Sequence, residues 1–113
     1  MATGTPIDVL ANLRTLKYNH SLAVTAGDIL LHNGHVLIAV NATLANEDNV
    51  WIYRGKIGFP KTSALEISVG DVCYWDDTAK EVSKTASGNT RVGICVEDSS
   101  ASDEVVIVNL SEN

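Results

Sequence analysis

His32 and His35 are the residues of this 113-residue chain best spaced to do chemistry, because Asn33-Gly34 lies between them. Asn-Gly is the strongest short signal for a two-residue hairpin, since a type I′ turn needs positive φ at both central positions. Such a turn sets its flanking residues opposite one another on one face, with β-carbons about 5 Å apart. Two imidazoles so placed could share a metal ion or sense pH. A metal site normally takes three or four ligands, however, and His20 is the only other imidazole. The pair therefore reads first as polarity at an exposed hairpin tip.

The other chemically able residues are similarly quiet. Asp76-Asp77 is an adjacent carboxylate pair, but sequence neighbours point in different directions, and the pair fits a solvated turn. Cys73 and Cys95 are too far apart and too few for a zinc signature or a disulfide framework. Both lie in apolar strand-like runs, so reduced, buried thiols are expected; a bridge would need their strands to be neighbours. There is no Gly-rich phosphate loop, no G-x-S-x-G elbow and no H-E-x-x-H. No catalytic, cofactor-binding or metal-ligating residue is expected, and a small hydrolytic or metal-binding domain is the weakest reading.

The elements that carry these residues are strands. Helical spacing is weak, Val, Ile and Thr are frequent, and turn residues recur at short intervals. Strands are expected over 14–18, 28–32, 35–40, 50–57, 71–75, 81–84, 91–96 and 104–110, with room for a helical turn only at 42–49 and 63–66. In the fourth of these, Trp51 and Tyr53 oppose Val50 and Ile52, so that strand is covered on both faces or lies in an interface. Thr25-Ala26-Gly27-Asp28 and Ser68-Val69-Gly70-Asp71 open two strands alike, a faint internal echo that chance could also produce. Residues 1–13, small, polar and without alternation, read as an extended N-terminal arm on a single β domain of residues 14–113. The expected fold is all-β: a small barrel, or a tulip-like or sandwich domain.

Charge narrows the partners. Eight Lys and Arg face fourteen Asp and Glu, for a net charge of -6, and the cations are scattered rather than clustered. Nucleic acid and anionic membranes are poor partners for such a surface. No apolar run approaches the ~20 residues of a membrane helix, and residues 1–12 lack the basic head and apolar stretch of a secretory leader. A soluble, unprocessed chain is expected.

From residue 55 onward the order of motifs becomes specific. Phe59-Pro60-Lys61 gives a hydrophobic-Pro-Lys step, and Gly70-Asp71-Val72-Cys73-Tyr74-Trp75-Asp76 a G-D-x-x-Y-W-D segment. Thr85-Ala86-Ser87-Gly88-Asn89-Thr90-Arg91-Val92-Gly93 follows as T-x-x-G-N-x-x-x-G, and Val105 to Leu110 closes the chain as a β-run. With the earlier Gly27-Asp28 opening, this resembles the head-decoration, or capsid cement, proteins of tailed bacteriophages. The resemblance departs in the longer lead over residues 1–13 and in the polar middle, Asn41 to Asn49.

The resemblance implies a non-enzymatic virion protein without cofactors, made in the host bacterial cytoplasm. It implies one that binds the outer surface of the expanded major capsid protein lattice, as a homotrimer, and cements the head. A tail or baseplate component is the structural alternative. Ala2, Thr3, Thr5, Pro6, Ile7 and Asp8 are the expected capsid contacts, on an arm disordered in the free protein that orders on the shell. Trp51, Tyr53 and Trp75 are the expected oligomer-interface anchors, weighed against a place in the core.

Overall fold

The computed structural model describes residues 3–6 and 14–110, and within them the fold is all-β. The strands are β1 (Thr5–Pro6), β2 (Arg14–Asn19), β3 (Ile29–His32), β4 (His35–Ala39), β5 (Asp48–Pro60), β6 (Val72–Asp76), β7 (Glu81–Ser83), β8 (Thr90–Cys95) and β9 (Val105–Leu110). The segments with room for a helical turn hold tight turns instead, with Asn46 and Ala64 at φ of 64° and 61°. A left-handed residue at each of these points breaks right-handed helical geometry.

β5 organises the molecule. Its N-terminal half lies between β4 (Ile38↔Ile52, Ala39↔Trp51) and β2 (Thr15↔Ile52, Leu16↔Trp51). Its C-terminal half lies between β9 (Gly55↔Leu110 to Pro60↔Val105) and β1 (Thr5↔Gly58, Pro6↔Ile57). Gly55 stands at the changeover with φ of 133°, a conformation that side chains disfavour. From β9 the sheet continues through β8 and β6 to β7. A parallel bridge, Lys61↔Val82, brings β7 back to the end of β5 and curls the sheet into a small barrel.

The larger core fills that curl and draws on both halves of the chain, with Ile29, Ile38, Ile52, Phe59, Trp75, Val92 and Val108 all buried. A smaller cluster of Val24, Leu37, Ala39 and Trp51 packs on the opposite face of β4 and β5, flanked by Tyr18, Leu30 and Tyr53. Of the two readings of this strand, cover on both faces or one face in an interface, Trp51 and Ile52 are covered on opposite faces, while Val50 keeps exposed surface.

The Gly-Asp echo is a structural repeat. Asp28 accepts the Thr25 amide at 2.8 Å, and Asp71 the Ser68 amide at 2.9 Å. The Gly27 amide donates to the Ala39 carbonyl and the Ala39 amide to the Asp28 carbonyl, just as the Gly70 amide donates to the Cys95 carbonyl and the Cys95 amide to the Asp71 carbonyl. The reciprocal amide–carbonyl pair Val24–Thr43 has its counterpart in Ile67–Ser99. Two β-units therefore follow one another, and β5 is both the last strand of the first and the opening strand of the second.

Candidate interaction surfaces

The hairpin forms as its sequence dictates. Asn33 and Gly34 have φ of 50° and 80°, and His32 pairs with His35. His35 is exposed, whereas the His32 ring stacks on Tyr18 with centroids 4.3 Å apart. No group of three or more metal-capable side chains occurs among the described residues. Asp76 caps the following turn through the Thr78 and Ala79 amides, both at 3.0 Å. Asp77 has a duty its sequence neighbourhood hides: it accepts the Trp75 indole N–H at 3.0 Å and the Lys80 ammonium at 2.8 Å. Burial pushes its carboxyl upward, but those two hydrogen bonds and the Lys80 charge together outweigh burial and hold it below the usual range.

Cys73 and Cys95 are free and buried on neighbouring strands. Cys73 faces Gly93 rather than Cys95, so the two thiols are diagonal neighbours. Burial pushes the Cys73 thiol up to about 12, and the neighbouring Cys95 and Asp71 add to it. Such a thiol is a small apolar side chain and not a nucleophile.

The three aromatics expected at an interface are placed unequally. Trp51 and Trp75 have no exposed surface, so within this protomer both are core. Trp51 is fixed by its indole N–H on the Tyr18 carbonyl at 3.0 Å, and Trp75 lies against Phe59. Tyr53 alone of the three keeps surface for a partner.

Of the residues expected to meet a capsid, Ala2, Ile7 and Asp8 lie outside the described residues. The segment between them differs from the arm expected to be free until docking. Thr5 and Pro6 pair with β5, Thr3 bridges Asp28, and the Gly4 amide donates to Gly27 at 2.7 Å. Gly4 explains the fit, because a β-carbon there would stand 2.9 Å from Ile57 Cγ2. The segment completes its own chain's sheet.

Two surface features escaped sequence reasoning. Leu22 and Leu44 are 62% and 71% exposed on loops tied together by the Val24–Thr43 pair. Buried Asn49 braces this knuckle, donating to the Asn41 carbonyl at 2.6 Å and the Thr43 hydroxyl at 3.2 Å. Isolated leucines in polar loops were the available signal. The second feature is charge: Arg14 and Arg54 stand directly opposite one another across β2 and β5, both exposed. Neither has an ion-pair partner among the described residues. Only the register reveals this pair, since 40 positions separate the two arginines.

A family model described as phage cement protein matches residues 11–110. No curated protein and no solved structure matches the chain.

Proposed function

Because the chain belongs to the phage cement protein family, we propose that it binds the outer surface of the expanded major capsid protein lattice as a homotrimer and stabilises the head there. The observation that carries this reading is the extent of the match, which takes in every strand from β2 to β9. Membership makes the protein a structural capsid component, a non-enzymatic role in keeping with Asp76, Asp77, Cys73 and Cys95 serving turns and core.

A shell repeats one site many times, and a trimer converts its second and third contacts into intramolecular events. Each protomer therefore needs only a modest contact. We assign the shell contact to the N-terminal segment Ala2 to Asp8 and to the Leu22–Leu44 knuckle, and a place between protomers to Tyr53. After synthesis in the host cytoplasm, the protein joins heads whose lattice has expanded.

The test is co-sedimentation with expanded, undecorated heads, quantified as copies bound per major capsid subunit. Saturation near one copy per subunit, without binding to unexpanded heads, is the expected result. A handful of copies per particle would move the protein to the tail or baseplate. Leu22→Ser with Leu44→Ser should lower the copies bound while leaving the fold intact.

A further inference from the structure

The two β-units differ at one edge. In the second unit, the opening strand is the C-terminal half of β5, and its outer edge is covered by β1 at Ile57 and Gly58. Setting Gly27 on Gly70 brings that stretch onto Arg14 and Thr15 of β2. Among the described residues, β2 pairs with β5 alone, and Arg14 to Lys17 are all exposed. Unpaired strand edges are templates for another chain.

Charge says which chain. At this edge Arg14 and Arg54, both exposed, are register partners across the ladder at the irregularity between Arg14 and Thr15, a like-charge pairing that is unfavourable unless an anion joins it. The protein is acidic overall, and four of its fourteen Asp and Glu lie on one loop at the other end of the β5–β9 ladder. Glu97, Asp98, Asp103 and Glu104 are exposed there on the loop leading into β9, and Glu97 and Glu104 have no ion-pair partner among the described residues. Arg54 adjoins the Gly55↔Leu110 end of the β5–β9 ladder and Glu104 the Pro60↔Val105 end. At about 3.4 Å per residue the two ends lie roughly 20 Å apart, beyond the screening length at physiological salt. Among the described residues, the 97–104 loop of one protomer is therefore too far away to neutralise its own arginines. A two-fold contact centred on the arginines would set the pair against its own copy, whereas a head-to-tail contact matches opposite charges. Head-to-tail contacts close into rings when the rotation permits.

We propose that the β2 edge flanked by Arg14 and Arg54 is a head-to-tail contact surface for a second copy of this chain, which presents its acidic loop of residues 97–104. Leu16, exposed two positions along β2 from Arg14, and half-buried Tyr53, next to Arg54 on β5, offer apolar area on these strands. The contact rests on the trimer reading above and names the surface and chemistry behind it.

The experiment is sedimentation equilibrium of the full chain at about 50 mM and about 500 mM NaCl, where the screening length falls from roughly 14 Å to roughly 4 Å. The wild-type chain should sediment at three times its 12.1 kDa mass in low salt and dissociate in high salt. Arg14→Glu with Arg54→Glu should be monomeric. Adding Glu97→Lys with Glu104→Lys to that variant should restore the assembly, which also shows that the reversal did not simply unfold the chain. A wild-type trimer indifferent to the arginine reversal would overturn this contact and leave the trimer standing. A wild-type monomer would overturn both. Loss on reversal without restoration would mean that the arginines face some other anionic surface, and the acidic loop would be the wrong partner.

Discussion

Raising the pH above 9 should weaken the fold, and Cys73 supplies a measurable part of the loss. Its thiol has no exposed surface and belongs to the larger core, on β6 opposite Gly93 of β8. Burial pushes its pKa from 9.0 up to about 12, with the neighbouring Cys95 and Asp71 adding to the shift. The native state thus holds the proton more tightly than the unfolded chain. The corresponding stability is complete below pH 9 and is lost as pH climbs toward 12, at about 1.4 kcal/mol per unit. Between pH 8 and pH 10 the loss assignable to this thiol is about 1.4 kcal/mol. The assay is urea unfolding of the wild-type chain and Cys73→Ala at both pH values, under reducing conditions. The remaining groups are common to both chains and largely cancel in the difference. The variant starts less stable because it leaves a cavity, and its deficit should shrink by about 1.4 kcal/mol at pH 10. A deficit of the same size at both pH values would refute the reasoning, since it would mean that the folded thiol ionises as freely as the unfolded one.

The remaining predictions concern single positions. Gly4→Val drives a side chain into Ile57 and Ile38, so it should release the N-terminal segment, read as faster proteolysis there with the barrel's circular dichroism unchanged. Asn49→Ala removes the brace from the Leu22–Leu44 knuckle and strands the Asn41 carbonyl; a loss of about 1–3 kcal/mol in urea unfolding is expected. Trp75→Ala empties the barrel beside Phe59 and leaves Asp77 without its indole donor, for a loss of about 3–5 kcal/mol by the same measurement.

What could be read in advance follows the range of the forces involved. Asn33-Gly34 specified its hairpin because the turn depends on those two residues alone. Strand limits came within a residue or two wherever apolar alternation persisted. The sequence pattern ends β5 at Ile57, yet the strand runs on to Pro60, because Gly58 and Phe59 are both buried and the alternation fails there. β1 has two residues and no pattern, and its pairing partners lie about fifty positions away. Gly4 carried no signal either, since only its approach to Ile57 requires a glycine. Tryptophan burial is likewise tertiary: the sequence placed Trp51 on the face opposite Ile52, but its full cover needs Tyr18, which β2 delivers from more than thirty residues away.

The shared strand bears on how a cement protein lasts. Each β-unit alone is a short sheet with an apolar face it cannot bury, but the larger core takes residues from both. Ile38 and Ile52 of the first unit join Phe59, Trp75 and Val108 of the second. β5 cannot leave one sheet without breaking the other, so the two units should open together rather than peel apart in sequence. Pairing over long sequence separations, as between β1 and β5 or β5 and β9, is slow to form because loop closure comes before the contacts that repay it. Once formed, the same ladders must break together along the whole of β5 before either half of the core meets water. For a member of a phage cement family, a slow unfolding rate matters more than a large equilibrium stability if it is to last as long as the particle it belongs to.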